Sequence, residues 1–417
     1  MKTLFKTNIS AAIGGTIMAV VLFSPSALAQ SPAFDLLEEG RDAYLDYNFD
    51  EAARLYAAAA KKAKKGDSEF SEEHSRYVDQ LDRARNFLNR VERLEILDSI
   101  AVPKRDFLKA YRLPPSSGSL SDANGLPARF DKEGVESVFT SESGEYKIWA
   151  APDSIGRLHL LESTKLSDGK WTLPTEVDDA LSEEGDAAYP FMMADGVTLY
   201  YADNGDNSIG GYDIMVATRE STDGEFLQPQ NLGMPYNSPY DDYMLAIDEL
   251  TGVGWWATDR NLLDDMVTIY LFKVNDLRSN YDPDMDDLID YARLSEISLT
   301  WEEDSDREAL LREVKAIDPN ARSRKADFHF PMDGGKVYTT YDDFKSASAR
   351  KLMAGYIEEK KALAETEKKL TAKRKQYHAH PDKLLGREIA EMELSLEKKR
   401  EALRRALSDI YRAERNR

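Results

Sequence analysis

The sequence contains no cysteine among its 417 residues. This excludes disulfide bonds, thiolate metal ligands, thiol nucleophiles and a lipid carried by an N-terminal cysteine. Histidine is scarce too, since five are present and none is spaced from another as zinc ligands usually are. The sequence also lacks a G-x-S-x-G nucleophile motif, a P-loop and a G-x-G-x-x-G loop. These absences exclude the commonest hydrolase, nucleotide-binding and thiol chemistries.

Long apolar runs are few. One run, residues 9–23, follows Lys2 and Lys6 and is succeeded by small residues that end at Ala29. This pattern is typical of a cleaved export signal, so we expect residues 1–29 to be a signal peptide. No later stretch offers about 20 consecutive apolar residues. We therefore expect an exported chain without a membrane span, most simply periplasmic, with outer-membrane association as the alternative.

Basic residues are outnumbered, with 55 Lys and Arg against 76 Asp and Glu, for a formal net charge of −21. The electrostatic field of so negative a chain repels phosphate backbones and anionic lipid headgroups. We therefore expect no nucleic-acid partner. The length exceeds that of one typical domain and predicts two or three structural units.

Residues 34–112 predict a helical segment, because apolar residues recur there at helical spacing. Within it, "GRDAYLDYNFDEAARLYAAAA" has the small and aromatic positions of a tetratricopeptide-like helix hairpin: Gly40, Tyr44, Phe49, Ala52, Tyr56 and Ala59. One such hairpin cannot bury its apolar face alone, so a further helix over residues 71–97 is expected to cover it. A plain helical bundle and a peptide-binding groove both remain open.

The composition changes after this segment. Residues 113–129 are dense in Pro, Gly, Ser and Asn and predict a linker. From residue 130 to 341, short apolar runs alternate with turn dipeptides, which is typical of an antiparallel meander. The segments "GEYKIWA", "GVTLYYA" and "GVGWWA" end at Ala150, Ala202 and Ala257, at intervals of 52 and 55 residues. This region therefore contains an internal repeat.

The clearest copy of the repeat predicts four strands. Residues 189–193, 198–202 and 213–218 form the first three, and the neighbourhood of Phe226 the fourth, with Asp-Gly and Gly-Gly turns between them. A repeated four-stranded unit is the sequence sign of a β-propeller. A two-sheet sandwich is the alternative, but it does not explain the constant spacing. We predict a central antiparallel β-propeller over residues 130–341, with about five blades, or alternatively six.

Helices are expected again near the C-terminus. Residues 282–313 are acidic and predict a helical insertion in the propeller. Residues 342–417 carry apolar residues among charged ones on both sides of the break "HAHPDKLLG" and predict an antiparallel helical hairpin. Such a hairpin packs on itself or pairs with a second copy as a coiled coil. We favour self-packing and keep a homodimer as the alternative.

Two segments carry a family resemblance. At "YPFMMADGVTLYYADNGDNSIGGYDIMVATR" and "NLGMPYNSPYDDYMLAID" the sequence resembles the TolB-type, WD40-like propeller repeats of exported Bacteroidota proteins. Together with the tetratricopeptide-like hairpin, the resemblance covers about residues 34–341. Members of that group often carry a following OmpA-like peptidoglycan-binding domain, and some belong to an envelope secretion apparatus. Here a charged helical hairpin takes that place, so the resemblance implies envelope protein partners but not direct peptidoglycan anchoring.

One segment has a weak metal-binding pattern. "DPDMDD" places Asp282, Asp284 and Asp286 at alternate positions, as calcium-binding loops do. An EF-hand would continue with Gly at its sixth and Glu at its twelfth position, where Asp287 and Arg293 stand. An acidic turn before a helix is the alternative interpretation, and we expect no cofactor.

Exposed aromatic and acidic pairs are the remaining candidates. Trp255–Trp256 and Tyr200–Tyr201 offer stacking faces, although neighbouring residues in a strand face opposite ways, so one of each pair is expected in the core. Carboxylate pairs such as Asp241–Asp242 suit a glycosidase if they face a cleft. We predict a non-enzymatic envelope scaffold or adaptor that binds proteins through the propeller and the helical ends. A carbohydrate-binding or glycan-processing propeller is the alternative.

Overall fold

The computed structural model describes residues 31–166, 168–181, 185–220, 225–261, 265–275, 277–303, 305–318, 328, 330–332, 336–338, 340–380 and 382–415. The predicted signal peptide lies outside them. The α-helices of this part are α1 Pro32–Leu45, α2 Phe49–Lys62, α3 Ser68–Leu88, α4 Leu288–Arg293, α5 Arg307–Ala316, α6 Ala347–Ala379 and α7 Lys383–Arg415. The strands are β1 Glu95–Pro103, β2 Ser119–Ser121, β3 Val138–Thr140, β4 Tyr146–Pro152, β5 Leu158–Thr164, β6 Thr175–Glu176, β7 Ala187–Met192, β8 Thr198–Asp203, β9 Asp213–Thr218, β10 Gln230–Asn231, β11 Asp242–Asp248, β12 Val253–Thr258, β13 Met266–Lys273, β14 Phe330–Met332 and β15 Lys336–Tyr338.

The first three helices form the predicted helical pair and its cover. Asn48 caps α2 by accepting a hydrogen bond from Glu51 N, and Asp67 caps α3 by accepting one from Phe70 N at 3.1 Å. A Cβ atom on Gly40 would lie 2.5 Å from the Tyr56 ring. Glycine therefore sets the close approach of α1 and α2, as the sequence predicted.

The helical segment is shorter than predicted. Helix α3 ends at Leu88 and residues 95–103 form strand β1, so the expected helix over 71–97 and the helical segment to residue 112 need correction. Strand β1 pairs along its length with β13, with Ile100 opposite Ile269. This long-range pairing outweighs the helix propensity of a segment that contains Leu and Glu. The sequence alone does not reveal the pairing.

Three antiparallel sheets follow the internal repeat. The first sheet has the order β2-β3-β4-β5-β6, the second β10-β9-β8-β7, and the third β1-β13-β12-β11. The repeat landmarks Ala150, Ala202 and Ala257 lie in β4, β8 and β12, one in each sheet. Each copy of the sequence repeat therefore contributes a strand to a different sheet.

A backbone irregularity recurs as well. The β7–β8 pairing slips between Ala188 and Phe191, and the β11–β12 pairing slips between Tyr243 and Ala246. In each slip one non-glycine residue, Tyr189 or Met244, has a positive φ, of 52° and 53° respectively. Such bulges increase local twist and redirect side chains. The second and third sheets thus share this bulge as well as the same number of strands.

The sheets extend beyond the predicted boundaries. Strand β2 lies in the expected linker 113–129, and β1 comes from the expected helical segment. The fourth strand of the second sheet is the two-residue β10, whereas Phe226 makes only an isolated bridge with Arg219. The region 130–341 is therefore not a self-contained set of strands.

The number of sheets is smaller than predicted. The described residues contain three sheets of four or five strands, not about five or six such units. Helices α4 and α5 begin within the predicted insertion 282–313, and β14 and β15 then form a two-stranded sheet. The mixed architecture of N-terminal helices, antiparallel sheets and C-terminal helices is confirmed. Its arrangement as a propeller stays a prediction.

The main apolar core contains residues from all three large sheets and from α5. In β12, Trp255 belongs to this core, whereas Trp256 belongs to a second cluster with Tyr270 and Phe272 on the opposite face. Both faces of the third sheet are therefore covered. This double burial explains why "VGWWAT" is almost uninterruptedly apolar.

The C-terminal hairpin has its own core. Helices α6 and α7 are bridged by Lys373–Glu388 at 2.5 Å and by Arg374–Glu393 at 2.7 Å. Their ends pack with the small sheet through one cluster of buried residues: Phe328, Phe330, Phe344, Ala349, Met353 and Ile410. None of the helices within the described ranges combines the length and apolarity that a membrane crossing requires.

Candidate functional site

Helices α1 and α3 are hydrogen-bonded directly to the loop that precedes β9. The Tyr44 hydroxyl donates to Ile209 O, and Gln80 Nε2 donates to Gly210 O at 3.1 Å. Ile209 is itself part of the helical core. The same core takes in further residues from outside the helical pair: Met234, Leu288 and Ala292. The N-terminal helices, the loops next to β9 and β10, and α4 thus meet in one apolar cluster.

A buried carboxylate fixes this loop. Asp213 accepts hydrogen bonds from Ile209 N at 2.9 Å, from Gly210 N at 3.1 Å and from Asn231 Nδ2 at 2.6 Å. Burial raises the pKa of Asp213 to about 8. A Cβ on Gly210 would lie 2.0 Å from Tyr240 O, so only glycine fits here. The predicted Gly-Gly turn therefore serves helix docking as well as strand reversal.

A recess of about 380 Å³ lies beside this contact, and we call it the junction recess. Its lining residues lie after α1, before β11, after β12 and at the C-terminal end of α4. Its lining residues are Asp46, Tyr47, Tyr240, Arg260, Asn261, Arg293, Leu294 and Ser295. Tyr47, Arg260 and Leu294 are buried, whereas Asp46, Asn261, Arg293 and Ser295 are exposed. The recess therefore has a buried floor and an exposed rim.

Arg260 on the floor is held by three hydrogen bonds, and its side chain is 2% exposed. Its Nη2 donates to Asp242 Oδ1 at 2.6 Å and to Tyr236 O at 2.7 Å, and its Nε donates to Thr258 Oγ1 at 3.1 Å. Its Nη1 has no hydrogen-bond partner within the described chain. A buried guanidinium nitrogen without a partner is costly, and this atom has less than 1 Å² of solvent-accessible surface.

Tyr47 is the second buried polar residue of the floor. It is 2% exposed, and the side chain of Ser238 is the hydrogen-bonding group that acts on its hydroxyl. Burial raises the pKa of Tyr47, so the hydroxyl stays protonated, while the charge of Arg260 acts in the opposite direction.

The backbone at the recess is strained at two places. Tyr47 has φ 61° just after α1, and Leu294 has φ 56° just after α4. The left-handed position after a helix usually carries glycine, because a side chain costs roughly 1 kcal/mol or more there. Larger residues at both positions are therefore held by their surroundings. Strain of this kind is often found at functional sites.

The formal charges of the recess cancel. Arg260 is neutralised by Asp242, and Arg293 Nη2 lies 3.8 Å from Asp46 Oδ1. On the rim, Asn261 Nδ2 donates to Thr268 Oγ1 at 2.8 Å and Ser295 donates to Asp290 at 3.0 Å. The rim thus presents both the acceptor oxygens of Asp46, Asn261 and Ser295 and the guanidinium donors of Arg293.

The structure does not bring the predicted metal candidates together. Asp282, Asp284 and Asp286 are exposed, and Asp284 N donates to Asp282 Oδ1 at 3.0 Å in the turn before α4. Across the described ranges, no group of three or more histidine and acidic residues is placed to hold a metal ion. The three aspartates therefore form a turn before a helix, which was the alternative interpretation.

The other candidates lie in structural roles. Trp255 and Trp256 are both buried, on opposite faces of β12, so neither offers a stacking face. Asp242 is bound to Arg260, and Asp241 Oδ1 accepts from Tyr212 N at 2.9 Å. This carboxylate pair does not face a common cleft as a glycosidase pair would.

Sequence reasoning missed the junction recess. Tyr47, Arg260 and Arg293 come from three distant segments, and only folding places them side by side. Tyr47 lies in "LDYNFD", where an aromatic residue rather than glycine follows a predicted helix. That break with the usual helix-end pattern was the one local signal available.

No protein-family model, curated protein or solved structure matches this chain. The resemblance to TolB-type propeller repeats and to a tetratricopeptide-like hairpin therefore stays a prediction based on the quoted residues.

Proposed function

We propose that this protein is a non-enzymatic scaffold or adaptor of the cell envelope, in which the three large sheets are blades of a TolB-type propeller. The observation that carries the proposal is the apolar cluster that α1, α2 and α3 share with Ile209 and Met234, from the loops next to β9 and β10, together with the hydrogen bonds from Tyr44 and Gln80. Helices that dock this firmly present their loops in a fixed arrangement. Rigid presentation lowers the entropic cost of binding a partner.

The C-terminal hairpin is proposed as a second binding element. Each of its helices has 33 residues, so the hairpin extends about 50 Å at 1.5 Å per residue. It also leaves large apolar side chains in contact with solvent, including Leu384 at 69% and Leu394 at 56% exposure. A long charged hairpin with exposed leucines suits an envelope protein partner, and pairing with a second copy is its alternative role.

Co-purification tests this proposal. The tagged full chain is isolated from gently solubilised envelopes, beside a variant that lacks residues 345–417. The hairpin shares its core with the small sheet and not with the three large sheets, so the three large sheets and α1 to α3 are expected to stay folded in the variant. We expect a partner in fixed ratio with the full chain and its loss from the variant.

The outcome that contradicts the adaptor role is equally concrete. If the full chain is isolated without a partner in fixed ratio, or converts a glycan or peptide in a manner that one carboxylate substitution abolishes, the proposal fails. Size-exclusion chromatography with light scattering separates pairing of two copies from binding of another protein.

A further inference from the structure

We infer that the tip of the C-terminal hairpin binds the surface of an anionic phospholipid membrane. We define the tip as residues 369–387, which include the end of α6 and the start of α7. This role goes beyond the proposed scaffold function, because it gives the tip a lipid surface and leaves protein partners to the rest of the molecule. Three features support it: the distribution of charge along the chain, the exposed basic residues of the tip, and an exposed leucine among them.

The negative charge of the chain is unevenly distributed. Residues 1–341 hold 35 Lys and Arg against 62 Asp and Glu, whereas residues 342–417 hold 20 against 14. The tip itself has six basic residues and one acidic residue. The net charge of the whole chain therefore predicts repulsion from anionic headgroups, but the local charge of the tip predicts attraction.

The length of the hairpin separates the tip from the core that joins it to the small sheet. Met353 belongs to that core, and Lys375 in the tip follows it by 22 residues of the same helix. At 1.5 Å per residue the two lie about 33 Å apart. Salt at physiological concentration screens exposed charges beyond about 8 Å. Acidic residues near that core therefore do not cancel the field of the tip.

Two basic residues of the tip are neutralised within the hairpin. Lys373 pairs with Glu388, and Arg374 pairs with Glu393. The other four are exposed, and no ion pair among the residues that the structure describes involves them: Lys369, Lys375, Lys383 and Arg387. The tip thus offers four positive charges to a partner outside the chain.

The four unpaired charges do not share one face. Lys383 and Arg387 are four residues apart and lie on the same side of α7. Lys369 and Lys375 are six residues apart and point about 120° away from each other around α6. The rigid surface of a folded protein would meet only part of this set. A bilayer presents many mobile headgroups that can gather around all four, so the arrangement favours lipid over a protein or a second copy.

An exposed leucine lies among these charges. Leu384 is 69% exposed and directly follows Lys383, and Tyr377 is 37% exposed in the last turns of α6. In peripheral membrane contacts, basic residues attract the headgroups while apolar side chains enter the boundary of the acyl chains. Tyrosine suits the same depth, because its ring is apolar and its hydroxyl is polar. The tip combines these three kinds of residue.

Two variants of equal charge separate the tip from the overall charge of the hairpin. The tip variant removes three unpaired charges: Lys375→Gln, Lys383→Gln and Arg387→Gln. The shaft variant removes three charges from exposed lysines of α6 outside the tip: Lys351→Gln, Lys360→Gln and Lys361→Gln. Glutamine keeps helix propensity close to that of lysine and arginine, and circular dichroism verifies that both variants fold.

The experiment is cosedimentation with vesicles of phosphatidylcholine alone or mixed with phosphatidylglycerol. The chain used is residues 30–417, since the apolar residues 9–23 of the predicted signal peptide would bind lipid themselves. We expect binding only to the anionic vesicles, weakened by added salt. Each lost charge should lower the affinity roughly fivefold, hence on the order of 100-fold for the tip variant. The shaft variant should bind almost as well as the native chain.

The leucine is tested in the same assay. Leu384→Ala should lower the affinity for anionic vesicles by at least about fourfold, the contribution of one methylene group that enters the acyl boundary. The matched control is Leu394→Ala, since Leu394 is 56% exposed but lies outside the tip. Its affinity should be unchanged.

Several results would overturn the inference. These are the absence of binding to anionic vesicles, equal binding to neutral vesicles, and equal losses in the tip and shaft variants. Light scattering adds a further one. If two copies pair and only the tip variant abolishes the pairing, the tip binds acidic residues of a second copy instead of lipid.

The lipid role and the scaffold role fail separately. If the anionic vesicles do not bind while a protein partner still accompanies the chain, the lipid inference alone fails. If the vesicles bind as expected while no protein partner is found in fixed ratio, the scaffold proposal alone fails.

Discussion

Buried polar residues in this protein fall into two classes that differ in hydrogen bonding. Asp242 and Arg260 are fully engaged with each other and with their neighbours, apart from Arg260 Nη1. The hydroxyl of Tyr56 is buried without a partner. The first class fixes the fold, whereas an unsatisfied hydroxyl adds no hydrogen bond to it. The distinction leads to opposite expectations for substitutions.

Removal of one member of the buried ion pair should be strongly destabilising. Asp242→Ala leaves Arg260 charged and uncompensated in the interior, so the free energy of unfolding should fall by about 3–5 kcal/mol. The matched control is Glu51→Ala, which breaks the exposed Arg54–Glu51 pair and should change the stability only slightly, because solvent screens that pair. Urea denaturation followed by fluorescence measures both. If both variants lose a similar free energy of unfolding, burial does not determine how much the Asp242–Arg260 pair contributes to stability.

Asp203 should make stability depend on pH. Burial raises its pKa to about 6, and Asp186 adds to the shift, compared with about 3.9 in an unfolded chain. Between about pH 4 and pH 6 the native state holds a proton that the unfolded state has lost, so stability falls as pH rises through this window.

Asp203→Asn should remove this dependence, because the amide oxygen can still accept from Gly205 N, which lies at 2.8 Å in the native protein. The variant should match the native chain near pH 4 and exceed it by about 1–3 kcal/mol near pH 7.5. Denaturant midpoints at the two pH values test this, with the exposed Asp282→Asn as control. A variant that is less stable at pH 7.5 would show that the ionised carboxylate is stabilising.

At the scale of elements, the strands of the third sheet depend on close packing between neighbours. Gly254 in β12 is opposite Phe272 in β13, and a Cβ on Gly254 would lie 2.3 Å from the Phe272 ring. The ring therefore occupies the space that a side chain would fill. Glycine here reflects cross-strand packing and not a turn.

Gly254→Ala should accordingly destabilise the sheets by about 1–3 kcal/mol, because the Phe272 ring must move in a filled core. Gly355→Ala is the matched control in α6, where nothing lies within 4 Å, and should stabilise that helix by about 0.5–1 kcal/mol. All five tryptophans lie between residues 149 and 301, so fluorescence follows the sheets and circular dichroism follows the helices. If Gly254→Ala leaves the free energy of unfolding unchanged, the packing between β12 and β13 is loose enough to admit a methyl group.

Elements with a strong local pattern were predictable from the sequence. The Asp195-Gly196 turn has its expected positive φ of 69°, and β9 has the predicted bounds. The C-terminal hairpin follows from its charge pattern and central break. Strand β1 was missed because its partner β13 lies about 170 residues away, and no local signal reports that pairing. The junction recess was missed for the same reason, since its floor and rim come from four segments.

At the scale of the whole molecule, two sets of buried contacts are distinguishable. One includes the core of the three large sheets and, next to it, the helical core, which contains α4 residues and the loop residues Ile209 and Met234 that flank β9 and β10. The other includes α6, α7 and the small sheet. A chain that lacks residues 345–417 should therefore retain its fluorescence-detected melting temperature within about 2 °C, since a loss of 1 kcal/mol would shift it by roughly 2–4 °C.

A larger fall in that melting temperature would contradict the separation of the two cores. The reverse truncation, removal of the helical pair, should not yield a stable product, because it would expose Ile209 and Met234, which the helical core buries. The helical pair and the sheets are therefore expected to unfold together.

Native-state hydrogen exchange tests this central claim most directly. We predict that the slowest amides of α2 and of β13 exchange with the same free energy of opening, and that both respond equally to Asp242→Ala, because one cooperative unit holds the junction recess in place. Exchange of the α2 amides at a clearly lower opening free energy, while the β13 amides stay protected, would contradict the account.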